Sequence, residues 1–436
     1  MSHNQFEPTC CHRITSIVRC FLTGLLCLFP AAGIFAKGVK KDTVTVSTTV
    51  KNHRCRVGDR IEFRIQATHK NPIKVTLSLD GQKILHEEEV VAPAKLTTIA
   101  AEPGFIRCTA RLNEEVALCG VGIEPEKLHP YIKKPDDFDS FWDHALAEFQ
   151  KIPIDLKVAP CKAYSGFDIF RMDCANVNGK RAYGMLAIPR DRRGKKVPLV
   201  VCYGGGEAYI SETGFRKAVV NINQKLQRPC AVLYFHLPPY SPVFNHKDAR
   251  KRHTEFLKKE VGLDRYIFAH MDDREKYYGY SALAGCLRLL RSAAEYPEID
   301  RTNIVYTGSS HGGTFGIYLA ACSDLLKAAF CGVPSFCDYA AFTGGRKTVQ
   351  IKGSEEYWKT FLYFDCAYFA ERIKIPIFCS VGYIDVSCPP SGVYAMYNQL
   401  RCSKKMYDKI LHGHGDGPAG YDQEIWDWLK KQLDRK

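Results

Sequence analysis

The sequence predicts an α/β fold, a mostly parallel sheet flanked by helices, preceded by a small all-β sandwich. Three observations lead there. From residue 198 onward, short continuous apolar runs ("PLVVCY", "CAVLYFHL", "NIVYTG", "AAFCGV", "IPIFCSVG", "KMYDKIL") alternate with segments of helical periodicity. Strands buried on both faces and separated by helices belong to a parallel sheet. Before residue 126 the pattern is different: β-branched segments alternate apolar and polar residues, broken at short intervals by "VGD", "DGQ" and "EPG". That is the signature of an antiparallel, immunoglobulin-like sandwich. Finally, 436 residues with 46% hydrophobic and 25% charged side chains supply core enough for two or three domains.

Taken in order, residues 1–36 have the form of a secretory signal. Arg13 and Arg19 precede "CFLTGLLCLFPAAGIFA", and Lys37 opens a charged segment. The apolar run is short for a membrane span and interrupted by Pro30, so export with cleavage after Ala36 is expected, an uncleaved anchor being the alternative. Residues 37–126 form the sandwich, with strands expected in "DTVTVSTTV", "RIEFRIQAT", "KVTLSLDG", "TTIAAEPGFIRCTARL" and "VALCGVGI". Residues 127–436 form the α/β domain. Its entry linker is proline-rich and leads into the helix "DFDSFWDHALAEFQ", which Asp137 or Asp139 can cap and whose Phe138, Trp142, Leu146 and Phe149 share one face. A hairpin follows with Asn178-Gly179 at its tip. The clearest later helices are "YSALAGCLRLLRSAAEY" and "YDQEIWDWLKKQL".

Composition excludes several functions. The net charge is +14, but Lys and Arg are scattered. Their densest cluster, "RDRRGKK" (190–196), sits in an expected loop without interleaved aromatics, so no nucleic-acid surface is expected. Nineteen cysteines include four in the leader, and the remaining odd number cannot all pair. Many lie inside apolar runs as small buried hydrophobes, and no C-x-x-C or His/Cys cluster points to a metal. Cys108 and Cys119 can meet across neighbouring strands.

In α/β sheets, sites form at the carboxyl ends of strands, and three strand ends carry reactive residues. "YTGSSHGGTFG" places Ser310 in Gly308-Ser309-Ser310-His311-Gly312, a G-x-S-x-G elbow whose small residues let the serine stand clear of a tight strand-to-helix turn. The His311 amide then opens a helix and can bind an oxyanion, while its side chain is expected to pack or hydrogen-bond away from the hydroxyl. Asp385 in "IPIFCSVGYIDVSCPP" and His414 in "ILHGHGDGP" complete a Ser, Asp, His order. His412 competes with His414, which is preferred because glycines on both sides suit a projecting loop. The second oxyanion donor is expected after "PLVVCY", in Tyr203-Gly204-Gly205-Gly206-Glu207, with Gly205 chosen. Glu207 is taken for a solvent-facing loop residue. The aromatic stretch "EEYWKTFLYFDCAYFAERIK" is expected to be mostly core, with an acyl-pocket wall or sugar platform as the sharper reading.

The segments "YPEIDRTNIVYTGSSHGGTFGIYLAA" and "LYFDCAYFAERIKIPIFCSVGYIDVSCPPSGVYAMYNQL", the closing "HGHG" and the earlier "KPDDFDSFW" resemble the acetyl xylan esterase/cephalosporin C deacetylase family. The likeness runs from about Lys133 to the C-terminus. It implies an α/β-hydrolase that removes acetyl groups from carbohydrate esters, with Ser310 as nucleophile, Asp385 as orienting acid and His414 as base. Two positions depart from the family pattern: His311 stands where glutamine is usual, and Tyr203-Gly204-Gly205 where His-Gly-Tyr is common. Both changes leave backbone donors in place. The resemblance also suggests subunit rings, hence a homo-oligomer.

The expectation is therefore an exported serine esterase acting on an acetylated oligo- or polysaccharide, needing no cofactor or metal, with no nucleic-acid partner and no stable membrane insertion. Two alternatives stand beside it. A prolyl-oligopeptidase-type peptidase shares the residue order but calls for a propeller in place of the sandwich. A non-catalytic polysaccharide-binding protein on a hydrolase scaffold would share everything except turnover.

Overall fold

The computed structural model describes residues 43–206, 209–344 and 355–435 (of 355 and 356, the backbone alone). The expected leader and Glu207 lie outside them. The described residues form one compact unit.

Eight strands come first: β1 (Val44–Thr48), β2 (Arg54–Cys55), β3 (Arg60–Ala67), β4 (Ile73–Leu79), β5 (Lys83–Val90), β6 (Ala94–Ile99), β7 (Gly104–Leu112) and β8 (Glu115–Ile123). They build a three-stranded sheet, β1-β3-β6, and a five-stranded sheet, β2-β8-β7-β4-β5. Among the described residues no propeller precedes the α/β layer. Inward positions of both sheets, among them Ile61, Phe63, Ile65, Val75, Leu77 and Val121, share one core. Cys108 and Cys119 are register partners on β7 and β8. They meet as expected, but as free thiols, which burial pushes up to about 12.

The α/β part runs α1 (Phe138–Lys151), β9 (Lys157–Tyr164), β10 (Phe167–Ala175), β11 (Arg181–Pro189), β12 (Val197–Tyr203), α2 (Glu212–Leu226), β13 (Ala231–His236), α3 (His246–Phe256), α4 (Tyr278–Ala294), β14 (Ile299–Ser309), α5 (His311–Cys322), β15 (Ala328–Gly332), α6 (Glu355–Leu362), α7 (Cys366–Ala370), β16 (Ile377–Gly382), α8 (Pro390–Gln399), β17 (Lys404–Lys409) and α9 (Tyr421–Asp434). Its nine strands form one sheet, ordered β17-β16-β15-β14-β12-β13-β11-β10-β9. The six from β12 onward are parallel, and β9 to β11 add an antiparallel edge. Alternation along β12 shows why these strands are apolar throughout. Leu199, Val201 and Tyr203 face the core under α1, α4 and α5, whereas Val200 and Cys202 face the core under α2 and α9.

Local chemistry explains the punctuation. The β10–β11 turn places Asn178 at φ 55° and Gly179 at φ 66°, the two positive values a type I′ hairpin needs. α1 begins after Asp137, but neither expected acid caps it. Asp137 is turned instead to Arg274 (2.9 Å) and Tyr363, and Asp139 to Lys134 (2.8 Å). Of the shared apolar face, Phe138, Trp142 and Phe149 are buried and Leu146 is partly so.

The sandwich packs on the α/β layer through the outward face of β7 and β8. Phe105 lies edge-on to Tyr383, ring centroids 4.9 Å apart, and joins Leu128, Val381, Val393 and Tyr394 in a separate apolar cluster. Gly120 leaves room for the chain before Asp385, since a Cβ there would stand 2.5 Å from the Tyr383 carbonyl oxygen. Because the obstacle is backbone, Gly120→Ala is expected to destabilise the fold by about 1–3 kcal/mol. An earlier urea-unfolding midpoint would register this, and an unchanged midpoint would mean the interface yields freely.

Candidate active site

The strand order reverses around β12, which lies between β13 and β14. Connections leaving such neighbours diverge and open a crevice at the carboxyl ends. Four loops meet there, following β12, β14, β16 and β17, and they carry Gly205, Ser310, Asp385 and His414.

Ser310 sits between β14 and α5 with φ 61° and ψ −124°. A non-glycine residue held there stores about 1–3 kcal/mol of strain, so its surroundings must fix it. Its N–H donates to the Gly332 carbonyl (2.9 Å), and its carbonyl accepts from Thr314 N (3.1 Å) and Ser335 N (3.2 Å). The flanking glycines are steric requirements. A Cβ on Gly308 would lie 2.7 Å from the Gly312 carbonyl oxygen, and one on Gly312 would run into the Tyr203 carbonyl.

The hydroxyl meets His414, whose Nε2 is 3.0 Å from Ser310 Oγ. The opposite ring nitrogen, Nδ1, is 2.9 Å from Asp385 Oδ2. With a carboxylate on that side, Nδ1 carries the proton and Nε2 is left to accept one. Asp385 is fully buried. Its Oδ1 accepts from Ser387 N (2.7 Å) and Cys388 N (2.9 Å), which orients Oδ2 toward the ring. His412, the competing residue, faces away and binds Asp416 Oδ2 (3.0 Å).

The glycine turn after β12 abuts the serine: a Cβ on Gly205 would lie 3.2 Å from Ser310 Cβ and 3.6 Å from its Oγ. The His311 amide opens α5 on the other side. The buried His311 side chain ties the two together. Its Nδ1 is 2.9 Å from both Tyr203 Oη and the Gly206 carbonyl, and its Nε2 contacts the Tyr278 hydroxyl. Further along, Ile210 N donates to His236 Nδ1 (3.0 Å). Burial drives that imidazole down to about 3, so it stays neutral and can accept the bond.

Asp385, Cys388 and His414 form the one His/Cys/acid group among the described residues that could hold a metal, with ligand atoms within 4.8 Å of one another. Both carboxylate oxygens already accept N–H bonds, and burial raises the Cys388 thiol well above its usual range. A cation there would have to break the Asp385–His414 bond. Of the aromatic stretch, Phe361, Phe364 and Phe369 are core, the blander of the two expectations.

Three residues of this network do not stand out from sequence alone: His236, Tyr278 and Lys409. The last carried a signal, a lysine closing an apolar strand. Its ammonium is buried and donates to the carbonyls of Gly413 (2.9 Å), His414 (3.4 Å) and Asp416 (2.7 Å). It thereby folds the loop that presents His414. Lys409→Met leaves those carbonyls without their donor and is expected to cost about 2–4 kcal/mol. Hydrogen exchange at amides 412–416 should accelerate; unchanged exchange would show that other contacts hold the loop.

Comparison with known proteins gives this geometry a family. An acetyl esterase from Xylanibacter ruminicola, Axe7A, is 26% identical over 323 residues, 72% of this chain and 71% of that one. Acetyl xylan esterases from Paenibacillus sp. R4 and Thermoanaerobacterium sp. JW/SL YS485 share the fold, each with a TM-score of 0.59, at 20% and 18% identity. Each alignment covers 71% of this chain and 98% of theirs. The sequence profile of the acetyl xylan esterase (AXE1) family matches residues 123–432. The chain therefore belongs to the acetyl xylan esterase family, carboxylic ester hydrolases with an α/β-hydrolase fold.

Proposed function

We propose that this chain is an exported serine esterase that removes acetyl groups from an acetylated oligo- or polysaccharide through a Ser310-His414-Asp385 triad. The observation that carries the reading is the hydrogen-bonded line from Ser310 Oγ through the His414 ring to buried Asp385, in a member of an esterase family.

In this reading His414 Nε2 takes the Ser310 proton as Oγ attacks the ester carbonyl. Negative charge then develops on the carbonyl oxygen beside the amides of His311 and Gly205, the two donors assigned to the oxyanion. Asp385 stabilises the imidazolium without taking its proton. The imidazolium gives that proton to the sugar oxygen as it departs, leaving acetyl on Ser310. Water, deprotonated by the same imidazole, releases acetate. No step calls on a metal or organic cofactor.

Among the described residues no helix is long and apolar enough to cross a membrane. Beside the elbow, Ser335, Phe336, Tyr339 and Cys388 line a small depression.

Ser310→Ala is expected to reduce p-nitrophenyl acetate hydrolysis at least ~10³-fold. A variant as fast as wild type would refute the assignment. Acetate esters should be cleaved faster than butyrate and longer esters. Acetylated xylan assayed against other acetylated glycans identifies the polymer. For export, the secreted fraction should yield a chain beginning at Lys37, and a chain retaining the first 36 residues would contradict cleavage there.

A further inference from the structure

We propose that Arg107, carried by the N-terminal sandwich, is a positioning residue for the triad acid. It holds the Asp385 turn from behind and makes the sandwich part of the catalytic scaffold. The inference rests on the triad reading above and extends it to a part of the chain outside the family match at 123–432.

Arg107 lies in the middle of β7 and is 3% exposed. Its neighbours Ile106 and Cys108 point into the sandwich core. Arg107 and Phe105 therefore point the other way, off the outer face of the sheet. In a small antiparallel sheet that face is normally wetted. Here it is covered by the segment leading to Asp385. Phe105 packs on Tyr383. Gly120, the register partner of Arg107, gives the Tyr383 carbonyl its space. Arg107 Nη2 then donates to the backbone carbonyl of Asp385 itself, at 2.6 Å.

The guanidinium is itself fixed. Gly81 approaches it so closely that a Cβ would come to 2.5 Å from Nη1. The carboxylates acting on it are buried Asp80 and Asp385. Arg107 thus lies in the field of one acid of the sandwich and of the acid of the triad.

This contact touches no substrate and no reacting atom. What it can do is set where the Asp385 turn sits relative to the His414 ring. A charge-assisted hydrogen bond in a desolvated site is strong and directional. A turn that relaxes by a fraction of an ångström would lengthen the 2.9 Å bond to His414 Nδ1. Misplacements of about 1 Å at a reacting constellation cost about 100-fold in rate.

The test compares full-length wild type with Arg107→Ala, Arg107→Lys and Ser310→Ala on p-nitrophenyl acetate. Arg107→Ala is expected to lower kcat about 10–100-fold with KM within about twofold. Guanidinium at non-denaturing concentration should restore much of the loss while leaving wild type no faster, because the free cation can refill the site. Lysine keeps the charge but lacks the rigid planar fork that aims a donor at the carbonyl, so Arg107→Lys should fall between the two. Should Arg107→Ala not accumulate as folded protein, Arg107→Lys decides alone through its loss of kcat at constant KM. The proposal is overturned if the folded variants keep kcat within about twofold of wild type. It is equally overturned if kcat falls together with a rise in KM that guanidinium does not reverse, the mark of a collapsed pocket. An active Ser310→Ala would strike at the triad reading instead, so the two failures are distinguishable.

Discussion

Everything at this site depends on satisfying one carboxylate that the fold takes out of solvent. Asp385 is fully buried, and burying such a polar group carries a desolvation cost. It is offset from three directions. Two backbone N–H groups of its own turn hold Oδ1, and the His414 ring holds Oδ2. Two buried cations, Arg107 and Lys409, then supply the long-range field. Each also grips backbone: Arg107 the carbonyl of Asp385, Lys409 the carbonyls around His414. The contacts that satisfy the acid thereby also fix the distance between acid and imidazole.

The serine side of the crevice is organised by sterics. Ser310 is held at a positive φ by three hydrogen bonds, two of them to residues at or just after the end of β15. The glycines around it are required because carbonyl oxygens of the elbow and of β12 occupy the space any side chain would need. His311 adds a cross-link, joining the first turn of α5 to the glycine loop through Gly206 and Tyr203. That link explains why histidine can stand at a position where the family resemblance leads one to expect glutamine. What the position requires is a long polar side chain able to reach the neighbouring loop, and its amide is available whatever the side chain.

The sequence made legible what is periodic or sterically forced. The six parallel strands could be read because both faces are buried, so apolar residues run continuously, as β12 does against two cores. The elbow, the Asn178-Gly179 hairpin and the His414 loop could be read because glycine marks each. The edge strand β5 could not. Its sequence "KILHEEEV" is exposed almost throughout, and an edge strand with polar faces carries no alternation to detect. The cap of α1 failed for a different reason: Asp137 has a better partner in Arg274, more than a hundred residues away, and no local rule anticipates a competing long-range charge. Arg107 and Lys409 were missed on the same ground. A lone cation in a strand suggests an edge or a register error until the loop it grips is known.

A buried arginine is a poor device for stability. Replacing buried ion pairs by apolar side chains is often neutral or favourable, because desolvating the charges costs several kilocalories per mole. If the interface between sandwich and α/β layer served only to hold two sheets together, more residues like Phe105 would do it better. A charged group is suited to something that apolar packing cannot provide, a directional bond to one named atom. That atom is the carbonyl of the residue that contacts the imidazole, and two glycines clear the space around the approach, Gly81 beside the guanidinium and Gly120 beside the Tyr383 carbonyl. The expensive contact and the acid proposed for the triad therefore coincide in one residue, and positional control accounts for that coincidence where cohesion does not.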